Sequence, residues 1–352
     1  MNKNILFTPF FVLFSFSTLF GQSRMNFLFA DNKHSMTIPF DLSNNHIYVK
    51  VKINNSDTLD FLFDTGAGAS GIMIDSTIAT NIHLKETGKV TVGGTGGQRD
   101  FLITDSVSLA IDKLFIPKQK IAWFQLKDQE KEEGHRIDGI LSYSFFKYFV
   151  FEIDYKHKTI TIIDPKYYRD QNLKNKIEMI DLDNNKVPIV KGLLTTKNKK
   201  VIKTSFIIDT GHDEYIVIGK KYITKNKLQK DTLKVQPARV NSGLFGQTIH
   251  KSASISSFKI GSLTISKPNT VFSFDEDGFY STLDGVLLGG QFFKDYKLIL
   301  NYPKKYLVLT KQQRSPAYNK SICKSRAGHC NINYVQASAA VRARRSIFNF
   351  SS

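Results

Sequence analysis

Asp64 and Asp209 each close an apolar run with the same three residues: FLFDTGAGAS at 61–70 and FIIDTGHDEY at 206–215. An ionised carboxylate at the end of a buried strand is costly unless its surroundings compensate for it, so its repetition needs a chemical cause. Thr65 and Thr210 supply a hydroxyl on a stiff β-branched side chain. Gly66 and Gly211 let the backbone come close to a neighbour. If the two loops meet across a pseudo-two-fold axis, carboxylates about 3 Å apart share one proton and titrate as a pair. One can then take a proton from a bound water while the other gives one to a carbonyl oxygen. That chemistry splits an amide without a metal or a nucleophilic side chain, and neither an HExxH motif nor a Ser, His and Asp set stands out.

The elements that must position the pair are themselves repeated. After the first Asp-Thr-Gly comes IDGILSYSFFKYFVFEIDYKHKTITII, and after the second LDGVLLGGQFFKDYKLILNYPKKYLVLT. Asp64 to Asp138 spans 74 positions and Asp209 to Asp284 spans 75. Both halves carry a glycine-rich segment, TVGGTGGQ and NSGLFGQ, followed by alternating apolar stretches that read as strands and hairpins. Lead strand pairs, IYVKVKI with DFLF and LLTTK with SFII, open each half. Helical periodicity is confined to short segments, 74–82, 144–149 and 291–296. The reading is two similar all-β lobes with a polar, glycine-free boundary near 166–186.

These repeats resemble the aspartic proteases, specifically bacterial secreted members of the retropepsin-like group with two halves fused into one pepsin-like chain. The resemblance covers about 36–310. It implies an all-β, bilobal acid-protease fold of two pseudo-two-fold-related, barrel-like lobes with few helices, Asp64 and Asp209 as catalytic dyad, and an extended peptide or protein as substrate. It implies that Thr65 and Thr210 brace the two loops across the axis while Gly66 and Gly211 stay close to the carboxylates. The hairpin containing Gly94, Thr95, Gly96, Gly97 and Gln98 corresponds to a substrate-covering flap, and 241–247 to a second flap or an echo of the first. Departures from the family pattern are Ala67, which removes a hydroxyl donor and should raise the dyad's pKa, His212, a candidate modulator read as turned outward, and Ser142 in place of a glycine.

On this reading the chain divides into an export signal at 1–21, a short segment at 22–35, a first lobe at 36–170, a linker at 171–186, a second lobe at 187–310, and a basic tail at 311–352 expected to be disordered. The apolar stretch 5–20, interrupted by Pro9, is short for a membrane span, which needs roughly 20 apolar residues. An exported protein, periplasmic or extracellular, follows, with no stable span after cleavage. The net charge of +18 is concentrated toward the tail, where eight Lys and Arg follow position 310 without any Asp or Glu. That distribution argues against nucleic acid as a partner, and a monomer is expected. No metal or cofactor is expected.

Rival readings are a dinucleotide fingerprint at GAGASG with Glu86 as the ribose acid, paired acids acting on a glycosidic bond, and an envelope protein of the same fold that binds extended peptides without cutting them. Asp138 and Asp284 read as turn formers, Trp123 as core or cleft wall, 127–136 as a solvated loop, and the Cys323/Cys330 pair with His329 as features of the tail.

Overall fold

Two copies of one strand pattern meet on a shared sheet. In the first, Ile72–Asp75, Gly139–Leu141, Leu59–Phe63 and His46–Ile53 lie side by side; in the second, Ile216–Ile218, Val286–Leu288, Val201–Ile208 and Ile189–Thr196 lie in the same order. The computed structural model describes residues 26–312 except 69–70, 95–96, 171, 232–238, 244–245 and 277. The expected export signal, the tail beyond Gln312, and Thr95 and Gly96 of the expected flap lie outside the described residues.

The central pairing has the same parallel register in both halves. Gly139, Ile140 and Leu141 face Phe61, Leu62 and Phe63, while Val286, Leu287 and Leu288 face Phe206, Ile207 and Ile208. Parallel strands buried on both faces read as continuous apolar runs, as FLF and FII do. Their last residues lead directly into the Asp-Thr-Gly loops. Each nine-stranded sheet also carries a long hairpin. Gly88–Gly94 pairs with Gly97–Ile111, closing on Gly94 opposite Gly97, and Arg239–Gly243 pairs with Gly246–Ala253.

A six-stranded sheet joins the halves at its centre, where Val150–Asp154 from the first pairs antiparallel with Tyr296–Asn301 from the second. Phe151 of this sheet packs against Phe145, Phe146, Phe149 and Tyr302, all buried. Residues 26–312 accordingly belong to one compact unit. This is an all-β bilobal, aspartic-protease-like fold, with short helices only. Among the described residues no helix is long and apolar enough to cross a membrane.

Several local readings change. Ile72–Asp75 is a strand, so the helix expected over 74–82 is Ser76–Asn81; Asp75 caps it by accepting from Thr77 N at 2.9 Å and Ile78 N at 3.3 Å. The other two short helices are Tyr143–Phe146 and Gly290–Phe293. The stretch 127–136 is a helix, Lys127–Glu133, ended by Gly134 at φ 62°, rather than a loop. Within 171–186, Ile177–Glu178 pairs with Tyr306–Lys311. Ahead of residue 36, Leu28–Phe29 pairs with Leu114–Phe124, and Phe27 packs on Phe149 at 4.7 Å. The GAGASG glycines lead into a strand, Ile72–Asp75, and not into the helix that a dinucleotide fingerprint opens.

Candidate functional site

The loops that follow Leu59–Phe63 and Val201–Ile208 meet between the lobes, and their threonines exchange hydrogen bonds. Thr65 Oγ1 donates to Ile208 O at 2.7 Å and Thr210 Oγ1 donates to Phe63 O at 2.5 Å. In return Thr210 N donates to Thr65 Oγ1 at 3.0 Å and Thr65 N to Thr210 Oγ1 at 3.2 Å. Both threonines are fully buried, so each hydroxyl replaces its lost water with two protein partners.

This brace brings Asp64 and Asp209 into direct hydrogen-bonded contact. Asp64 Oδ1 accepts from Gly66 N at 2.7 Å and Ala67 N at 3.1 Å. Asp209 Oδ1 accepts from Gly211 N at 2.9 Å. The glycines are required by approach: a Cβ on Gly66 would overlap the Asp209 carboxylate, and one on Gly211 the Asp64 carboxylate. Each loop is anchored from behind, Asp64 N to Leu141 O at 3.3 Å and Asp209 N to Leu288 O at 3.0 Å.

Both acids sit above the usual carboxylate range. Burial raises Asp64, against the opposing hydrogen bonds from Asp209, Gly66 and Ala67. Asp209 rises well further, through burial and then through the charge and hydrogen bond of Asp64. Asp64 has two adjacent amides on one oxygen, and Asp209, the more strongly raised of the two, is the one that burial and its neighbour's charge press toward the protonated form. Tyr302, packed at 5.6 Å on Phe146 beneath the loops, is pushed up by burial and then by the charge of Asp64.

The two halves differ around the dyad. Ala67 in the first loop corresponds to His212 in the second: Ala67 O accepts from Tyr143 N at 3.0 Å and His212 O from Gly290 N at 2.6 Å. His212 is turned inward, with its side chain only 12% exposed, contrary to the outward expectation. Its ring lies parallel to His250 at 6.1 Å and edge-on to Tyr280 at 6.0 Å. Burial, followed by the charge of His212, holds His250 down at about 3. Ser142 is buried, its hydroxyl 2.9 Å from Ser144 Oγ. Its counterpart Gly289 has no such room, since a Cβ there would overlap the carbonyl of Glu214.

The hairpins Gly88–Gly94/Gly97–Ile111 and Arg239–Gly243/Gly246–Ala253 stand one on each lobe, and each touches a short helix of the other lobe: Gly278–Thr282 lies against the first and Lys127–Glu133 against the second. The sequence therefore pointed to the loops and to both hairpins, in the first of which Gly94, Gly97 and Gln98 form the closing pairs of the ladder, but not to the helices against them. It also missed Asn45, whose amide donates to Asp213 O at 3.0 Å across the lobe boundary, and His46, Tyr48 and Glu133 on the first lobe. Asp138 is buried and bonded to Asp60 N at 2.8 Å and Arg136 Nε at 2.9 Å, which tightens the turn behind the loop. Trp123 donates to Thr104 Oγ1 at 2.9 Å and packs on the core.

Among the described residues Asp41, Asp60 and His135 bring ligand atoms within 4.8 Å of one another. Lys50 bonds Asp60 there and lies 3.5 Å from Asp41, so these carboxylates already have a cation. The group reads as a surface ion-pair cluster.

Residues 49–145 match the family model for aspartyl protease, a span that includes Asp64 and the first hairpin. A comparison with curated proteins finds no match. The family match supports aspartic-protease chemistry on a peptide substrate.

Proposed function

We propose that the chain is an exported aspartic endopeptidase, periplasmic or extracellular, that acts as a monomer and cuts peptides held in extended form between the two lobes. The observation that carries this reading is the hydrogen-bonded Asp64–Asp209 pair held by reciprocal threonine bonds. Asp64, supported by the amides of Gly66 and Ala67, is the base. Asp209, the more strongly raised, holds the proton. Asp64 removes a proton from the bound water as its oxygen attacks the scissile carbonyl carbon, and Asp209 gives its proton to the carbonyl oxygen. The resulting gem-diol collapses as the amide nitrogen receives the proton held on Asp64 and the C–N bond breaks. The remaining proton returns to Asp209, leaving the pair as it began.

Thr65, Gly66, Thr210 and Gly211 set the carboxylate separation, and the hairpins supply main-chain pairing to substrate. His212 acts on the second lobe's wall with His250 and Tyr280. Export rests on the sequence of residues 1–21. The test is cleavage of a peptide library by the unmutated protein and by Asp64→Asn and Asp209→Asn, with a hydroxyl-bearing statine-type isostere as inhibitor. Cleavage at mildly acid pH, inhibition by the isostere and loss in both folded variants are expected. An unmutated protein that binds peptides but cuts none between roughly pH 3 and 8 would establish the binding reading instead.

A further inference from the structure

The first lobe carries a group of buried polar atoms that the dyad does not use. In His46–Ile53, Ile47, Val49, Val51 and Ile53 point into the main core, so period-two alternation turns His46 and Tyr48 to the opposite face. Tyr48 there lies opposite Leu62 in the neighbouring strand. Both side chains are enclosed, His46 at 6% and Tyr48 at 1% exposure. The end of the helix Lys127–Glu133 covers them. Glu133 Oε2 is 3.1 Å from His46 Nδ1, Asn44 Nδ2 donates to Glu133 O at 2.9 Å and to its carboxylate at 3.2 Å, and the His135 ring lies 3.9 Å from that of Tyr48.

Glu133 fixes His46 with Nδ1–H donating, which directs Nε2 away. His46 Nε2, the Tyr48 hydroxyl and His135 Nε2 are all buried, and among the described residues none has a hydrogen-bond partner. Each such orphan costs about 1–3 kcal/mol, and these three sit in adjoining rings on one face of the lobe. The group lies at the lobe boundary, where the adjoining Asn45 bonds Asp213. His46 feels the charges of Asp213 and Asp64, and the covering helix lies against the second lobe's hairpin strand Arg239–Gly243. The equivalent of Tyr48 in the second lobe is Ile189, opposite Ile207, so this polarity is confined to one wall.

We propose that His46 and Tyr48, with Glu133 behind them, form a specificity subsite that receives a substrate side chain ending in an acceptor oxygen, a carboxylate or a carboxamide. The proposal rests on the peptidase reading and names what that enzyme selects. The Tyr48 hydroxyl donates to the guest oxygen. Burial disfavours a charged His46, but the bond and charge of Glu133 raise it on balance, so Nε2–H is a second donor at mildly acid pH. Because Glu133 already balances the imidazolium, a neutral carboxamide satisfies the site as well as an anion does.

Substrates matched except for Leu, Gln or Glu at the position a library selects will be compared by kcat/KM on the unmutated protein, Tyr48→Phe and His46→Leu. Tyr48→Phe removes a single oxygen and keeps the packing. The expected result is a preference for Gln or Glu over Leu at one position, with the ratio falling roughly 10- to 100-fold in each variant. Gln above Glu identifies the carboxamide as the guest, and the reverse order the carboxylate. The same ratio is also read as Kd on Asp209→Asn by titration calorimetry, so an absence of cleavage with the binding preference intact sinks the catalytic reading alone. A protein with no such preference in either readout, or one whose preference survives both variants, overturns the subsite.

Discussion

Asp64 and Asp209 share a site but not an environment. The first has two neighbouring amides on one oxygen, whereas the second carries the larger upward shift. The one-proton state of the pair therefore extends above the range of ordinary carboxylates, and kcat/KM should trace a bell in mildly acid solution. Replacing either acid by Asn should lower kcat by roughly 100- to 10,000-fold, measured on a peptide that the unmutated protein cuts. The same shifts set the sign of an effect on stability. A folded pKa raised above the unfolded one means that the native state binds more protons, so the stabilisation is complete below the unfolded value and is lost as pH rises through the folded one. Asp209→Asn should therefore melt higher than the unmutated protein at neutral pH and at the same temperature near pH 3, a difference that calorimetry at the two pH values resolves. The acids, threonines and glycines were legible in the sequence because chemistry restricts their types. His46, Tyr48 and His250 were not, since a single His or Tyr in a strand reads as ordinary packing until its face is known.

At the scale of the element, two apolar strands end in loops that can only be made together. Thr210→Val keeps the shape of the side chain but leaves the buried carbonyl of Phe63 and the amide of Thr65 without the partner they have now. A loss of about 1–3 kcal/mol in a denaturant melt is expected. Thr65→Val should cost a similar amount, and the double variant less than the sum, because both belong to one network. The turn behind each loop gives a second contrast. Ser142→Gly should cost roughly 0.5–1 kcal/mol through backbone entropy, whereas Gly289→Ser drives a Cβ into the Glu214 carbonyl and should yield little folded protein on expression. The lead strands and both hairpins followed from alternation and glycine. Helix limits did not. Ile72–Asp75 is apolar enough to read as helix or strand, and only its pairing with Leu114–Phe124 decides. Likewise 127–136 is too charged for a core pattern to mark its helix.

At the scale of the whole molecule, Val150–Asp154 and Tyr296–Asn301 form the middle of one sheet, so neither half has a complete interior without the other. Trp123, the sole tryptophan, reports on the first half, while far-ultraviolet dichroism reports on both. Urea transitions followed by the two probes should coincide; a separate early fluorescence transition would show halves that unfold independently. The duplication was legible from matched spacing, but the depth of the join was not, because the joining strands pair over long separations without a local signature. Two identical halves would have to change together at every substitution, whereas here one half carries Ala67 and Tyr48 where the other carries His212 and Ile189. A polypeptide has a direction, and a groove whose banks differ can tell its head from its tail. On the peptidase reading, the covalent tether between the halves thereby gives the molecule a handed reading frame: a guest strand laid in backwards presents its side chains to the wrong bank.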